Sequence, residues 1–235
     1  ELYVTDAAAM PGVAGEIALW GEDADVQRWL AANGIRARPF AASAPPGRTV
    51  ILASGKPPAP GGAAAFAELA GHVAGGATAV LLAPSVFSDG QDPIRWLPLK
   101  GKGRYAPINW VGGYYRADMW AKNHPIFEGL PSGGILDPTF YREILPQHAF
   151  LRCYTVSRGF TEEESTADLD PPAEAVCGAH RLSANYASGL HVAVYRLGSG
   201  RWILNNLLVR ENLGRTPVAE RLLRNMLNFA AHDPG

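Results

Sequence analysis

"RTVILAS" (48–54), "GAAAFAELAGHVAGG" (62–76) and "TAVLLAPS" (78–85) follow one another along the chain, and their order decides the fold. The first and last are apolar along their length, as strands buried on both faces are. Between them Phe66, Leu69, Ala70 and Val73 share one helical face, and Gly75-Gly76 close the run. A strand, a helix and a second strand of this kind make a right-handed unit with parallel strands. Working upstream, "GEIALW" (15–20) and "IRARPF" (35–40) read as two further strands. "EDADVQRWLAANG" (22–34) joins them as a short helix, with Val26, Trp29 and Leu30 on one face, acids at its start and Asn33-Gly34 as its stop. The expectation is a mostly parallel sheet with helices on its faces.

Working downstream, residues 86–148 are rich in proline, glycine and aromatic side chains. A plain connection is rarely that long, so the segment is expected to be functional or to carry elements of its own. Order returns with "AFLRCYTV" (149–156) and "EAVCGAHRL" (174–182), both strand-like. "LHVAVYRLGSGRWILNNLLV" (190–209) reads as two strands around a Gly198-Ser199-Gly200 turn. A closing helix has Thr216 as its cap, Pro217 in its first position and Val218, Leu222, Met226 and Ala230 stepping by four. Residues 1–14 read as a linker or edge extension, and 15–235 as one α/β domain.

Composition narrows the function classes. Hydrophobic residues at 47% against 18% charged belong to a globular chain. A net charge of -1 without a basic run argues against nucleic acid as a partner. No apolar stretch reaches the roughly 18 residues that a membrane span needs. The opening "ELYVTD" is not a signal peptide, and its lack of Met is what a piece excised from a longer chain would show.

Ligands of open α/β sheets sit beyond the C-terminal strand ends. That rule nominates Trp20-Gly21-Glu22, Ser54-Gly55-Lys56 and Ser85-Val86-Phe87. Ser85 stands where a nucleophile elbow would be, but such a turn needs small neighbours, and Pro84 and Phe87 are not small. Cys153 and Cys177 fall in apolar strands and read as buried thiols. The histidines are scattered without metal-ligand spacing, so neither a metal nor another cofactor is expected. Trp96, Tyr105, Trp110, Tyr114, Tyr115 and Trp120 crowd one stretch together with Asn109. Aromatic faces beside hydrogen-bonding groups suit sugar rings, and the competing reading is that these rings pack the insertion onto the sheet.

"NHPIFEGLPSGGILDPTFYREILP" (123–146) gathers His124, Glu128, Asp137, Tyr141 and Glu143. Pro125 biases His124 towards an extended backbone. Ile126, Phe127 and Leu130 look like core anchors, which makes this stretch a structural clasp at the edge of the sheet. The candidate ligand-facing set is Ser85, Asn109, Trp110, Tyr114, His124, Glu128, Asp137 and Tyr141, with no catalytic residue assigned.

The order of elements resembles the class I glutamine amidotransferase-like fold, a flavodoxin-like three-layer sandwich. "HPIFEGLP" (124–131) is similar to a phrase of domains related to trehalose-utilisation proteins and of the middle domain of some β-galactosidases. More narrowly, residues 124–146 followed by "GSGRWILNNLLVRENLGRTPVAERLLRNMLNF" (198–229) resemble the amidotransferase-like domain attached to bacterial glycoside hydrolases of the β-galactosidase/β-glucuronidase kind. The likeness covers most of residues 15–230. It implies a non-catalytic accessory domain that serves interdomain packing, oligomerisation or sugar recognition. The implied partners are other domains of a larger glycoside hydrolase, a second copy of the chain, or a carbohydrate. The implied location is periplasmic or extracellular. The alternative is a carbohydrate-acting hydrolase using His124 with Asp137, Glu128 or Glu143. True amidotransferases carry a cysteine at the elbow and a histidine after a late strand. Here the elbow is "APSVF" and "RWILNN" leads into "LLVRENLG", so that chemistry is expected to be absent.

Overall fold

The computed structural model describes residues 10–45, 47–55, 57, 62–102, 104–107, 117–156, 170–181 and 185–232. Asn109, Trp110 and Tyr114 lie outside them. The predicted alternation is present: β1 (Ile17–Trp20), α1 (Ala24–Ala32), β2 (Ala37–Pro39), β3 (Val50–Ala53), α2 (Gly62–Ala74) and β4 (Thr78–Leu81). The long insertion contributes three short strands, β5 (Arg104–Pro107), β6 (Ala117–Ala121) and β7 (Gly134–Ile135). The chain then forms β8 (His148–Val156), β9 (Glu174–Arg181), β10 (Asn185–Leu197), β11 (Gly200–Asn205) and α3 (Pro217–Ala231).

The strands form one mixed sheet in the order β2-β1-β3-β4-β11-β10-β9-β6-β7, with β8 against β10 and β5 against β8. The first five strands of that order are parallel throughout. Two strands placed either side of the first, then outward growth, is the flavodoxin-like order. From β10 onward the pairing is antiparallel. The fold is therefore an α/β three-layer sandwich of the class I glutamine amidotransferase-like kind, with a C-terminal hairpin and helix.

Each face of the sheet buries its own core. Ile17, Leu52, Val80, Val194 and Ile203 face α1, α3 and the clasp. Ala18, Ile51, Ala79, Leu81 and Trp202 face α2 and the start of the insertion. Those alternating sets are what apolar strands buried on both faces must show. In α3 the fully buried Leu222, Leu223 and Met226 bring about 1.5–3 kcal/mol each by leaving water. Thr216 caps the helix by accepting from the Ala219 N–H at 3.3 Å. Gly200 lets β11 dock beneath α2: a side chain there would lie 2.1 Å from the carbonyl oxygens of Val73 and Ala77.

The clasp lies at the outer edge of the sheet, where Gly134 and Ile135 pair with Ala121 and Trp120. Ile126, Phe127 and Leu130 are buried, as expected of core anchors, and Tyr141 and Ile144 are buried beside them, so the Tyr141 ring belongs to the core and does not face a ligand. Trp96 stacks on Phe66 of α2 with centroids 5.7 Å apart, so this ring packs the insertion onto the helix.

Candidate functional site

The usual ligand crevice of this strand order lies between the ends of β1 and β3. Here it is shut. A side chain on Gly55 would fall 2.3 Å from the Glu22 carbonyl oxygen, so the two loops touch through the bare glycine. Beside this contact, Asp23 closes the N-terminus of α1 by accepting from the Val26 N–H at 3.2 Å. Its carboxylate also accepts from Arg210, from Nε at 2.7 Å and from Nη2 at 3.0 Å. The loop after β11 is thus pinned to the start of α1 by a two-pronged ion pair.

Past β4 the chain enters a 3₁₀ turn, Pro84–Val86, and Ser85 is exposed on it. The hydrogen bond recorded at Ser85 uses its carbonyl, which accepts from the Ser88 hydroxyl at 3.4 Å. No strained elbow forms, because proline enters a 3₁₀ turn readily at its first position.

The polar residues that do converge lie at the C-terminal end of β11. Asn205 donates to the carbonyls of Leu82 and Leu207, at 2.7 and 2.9 Å, and so ties β11 to the end of β4. Asn206 is the hub of a second network. Its Oδ1 accepts from the Tyr105 hydroxyl at 3.1 Å, while its Nδ2 donates to the His148 carbonyl and lies 3.1 Å from His191 Nδ1. Tyr105 and His148 stack with centroids 5.4 Å apart. Both rings are half-buried.

His191 sits where β10 changes partner. Residues 192–197 of β10 pair with β11, and 185–190 pair with β8. On the other side, Leu190 faces Gly178 and Val192 faces Cys177, so His191 is the extra residue of a β-bulge. Bulges of this kind re-aim a side chain, and this one turns an imidazole into the interior, fully buried. Burial pushes its pKa down to about 3, so the ring is neutral at physiological pH. The Asn206 amide must donate to Nδ1, since its Oδ1 is taken by Tyr105. The ring proton therefore sits on Nε2, which has no partner among the described residues. Burial, then the charge of Glu211, raise the pKa of Tyr105, so its hydroxyl stays protonated.

The sequence-nominated clasp residues are each engaged with the clasp or its neighbours. His124 Nδ1 accepts from the Ile126 N–H at 3.2 Å and its Nε2 meets Glu174 at 3.0 Å. Its backbone is extended, at φ -146° and ψ 145°. Asp137 accepts from the Thr139 N–H at 2.7 Å, a turn-closing bond. Tyr141 donates to the Pro131 carbonyl. Glu128 is exposed, and its backbone carbonyl accepts from Asn225 at 2.9 Å. Cys177 is a free, buried thiol whose pKa burial pushes up. Among the described residues no group of three or more His, Cys, Asp or Glu side chains is placed to hold a metal, and no helix is long and apolar enough to cross a membrane.

His148, His191 and Asn206 were missed as a site by sequence reasoning. The strand-end rule, read on the sequence, reaches the first parallel strands only. Applied to β11 as well, it points to Asn205-Asn206.

The fold is of the class I glutamine amidotransferase-like kind, and the elbow "APSVF" and the late strand "RWILNN" carry neither the cysteine nor the histidine of that chemistry. Among solved structures, the chain is similar to a ThuA-like protein from Bacteroides uniformis, with 12% identity and a TM-score of 0.51 over 97% of this chain and 95% of that one. A ThuA-like protein from Parabacteroides merdae also aligns, with 12% identity and a TM-score of 0.44 over 92% and 89%. At 12% identity the likeness to the Bacteroides uniformis protein is one of fold alone. No protein-family model and no curated protein matches the chain.

Proposed function

We propose that the chain is a non-catalytic sugar-recognition domain of a carbohydrate-active enzyme system, with the half-buried Tyr105–His148 pair, backed by buried His191 and Asn206, as part of its ligand face. The observation that carries this reading is a neutral hydrogen-bonding network set behind a half-buried aromatic pair. Sugars are uncharged, with apolar ring faces and polar rims, and such a surface matches both. The sequence resemblance of residues 124–146 and 198–229 to domains attached to glycoside hydrolases supplies the setting. The elbow, with Pro84-Ser85-Val86 in a 3₁₀ turn, supports the absence of acyl chemistry.

A glycan array probed with the full chain tests the proposal. At least one glycan should be retained, and Tyr105→Ala should weaken it about tenfold, the worth of an aromatic contact plus a hydrogen bond. Retention of none, or binding that Tyr105→Ala leaves unchanged, sinks the recognition reading. Turnover of nitrophenyl glycosides or glutamine that Glu128→Gln or Asp137→Asn abolishes would replace it with the hydrolase reading.

A further inference from the structure

The opposite end of the same strands carries a second set of polar atoms without partners. Tyr195 and Trp202 face each other across the β10–β11 ladder. Both are buried, at 4% and 1% exposure, and they point to the same side of the sheet. Neither the Tyr195 hydroxyl nor the Trp202 Nε1–H has a partner among the described residues. Buried polar groups are nearly always paired, so two orphans in directly opposed positions need an explanation.

The same two residues line a groove of about 760 Å³. Its walls are the segments 97–100 and 170–173, with Leu97, Pro98, Leu99 and Pro171 presenting apolar surface. The walls are tied together at the rim by Lys100 N–H donating to Asp170 Oδ2 at 2.7 Å and Asp170 N–H donating to Gly101 O at 3.1 Å. Lys100 and Asp170 bring one charge of each sign and Arg196 a further positive one, while the apolar walls and the two neutral donors suit an uncharged ligand.

We propose that this groove is a binding site for a neutral, apolar molecule carrying a carbonyl group, whose oxygen accepts from the Tyr195 hydroxyl and the Trp202 indole N–H. An indole N–H is a donor only, and a carbonyl oxygen has two lone pairs, so one ligand atom can answer both orphans. The apolar walls take up the remainder of the molecule, as in pockets that combine a hydrophobic lining with a few placed polar groups. Entry parts the two walls at the rim. The site stands independently of the sugar-recognition reading, because it lies some four residues, about 13 Å, along β11 from Asn206.

The probe is acetophenone, with toluene as the matched molecule lacking the carbonyl. Two-dimensional ¹⁵N NMR of the full chain reads the Trp202 indole N–H directly. Acetophenone should shift that resonance downfield in a saturable titration, and toluene should not. Tyr195→Phe should weaken acetophenone about five- to tenfold, the value of one hydrogen bond. Lys100→Ala, on the exposed rim, should leave the affinity within about twofold. An unmoved Trp202 resonance, equal shifts from both probes, or undiminished binding by Tyr195→Phe each overturn the proposal. Tyr195→Phe removes only an unpaired hydroxyl, so its fold is expected to be intact, and its unliganded spectrum verifies that.

Discussion

His191→Asn gives the sharpest test of the buried network. In the folded chain the ring stays neutral down to about pH 3, whereas an unfolded chain takes up that proton near 6.5. Between those values the unfolded state binds more protons, so stability falls as pH drops through the window and is fully present above it. Integrating from neutral pH to about pH 5 gives a loss of about 2 kcal/mol from this one residue. The figure holds for any folded pKa below about 4, because the ring is then still neutral at that pH. Asparagine keeps an acceptor close to Asn206 but carries no titrating proton, at a cost of about 2 kcal/mol for the smaller side chain. Urea denaturation of both proteins at neutral pH and at about pH 5 isolates the effect, since every other titrating group cancels in the comparison. The wild type should lose about 2 kcal/mol more than the variant on acidification. Parallel losses would refute the burial of a neutral imidazole at the bulge, and with it the geometry of the Asn206 hub.

Three further outcomes are expected. Gly200→Ala should destabilise by about 3 kcal/mol in thermal unfolding, because its new methyl would overlap two backbone carbonyls that cannot move aside. Asp23→Ala should cost about 2–3 kcal/mol and Asp23→Asn about half that, since asparagine keeps the α1 cap and loses only the charge that meets Arg210; equal costs in denaturant titration would mean that the cap contributes nothing. Tyr195→Phe, without ligand, should leave the denaturation midpoint unchanged or raise stability by up to about 1 kcal/mol, and a clear loss would reveal a partner for the hydroxyl.

The scaffold was legible where side-chain period and backbone agree. The apolar runs at 48–54 and 78–85 became β3 and β4, and Thr216-Pro217 opened α3 as their chemistry requires. Local patterns were blind to what is set by distant partners. β10 begins at Asn185, five residues before the apolar alternation, because β8 and β9 pair with it there. β7 has two residues and no period at all, and it exists only through its bonds to β6. The bulge at His191 is likewise invisible in "LHVAV", since an extra residue is defined by what stands opposite it. Tyr105, His148, His191 and Asn206 come from four separate segments, so their meeting is a property of topology.

β11 is the single strand that joins the parallel half of the sheet to the antiparallel half, and it comes late. β4 is complete at residue 81 and β11 at residue 205. At roughly 5–20 residues per second of synthesis, the apolar edge of β4 waits about 6–25 s for its partner to leave the ribosome. Throughout that wait the nascent chain presents an unpaired, hydrophobic strand edge of the kind that recruits other chains. The order in which the strands are made therefore sets a period of exposure that the finished sheet no longer displays, and a chaperone that covers the β4 edge would act in that interval.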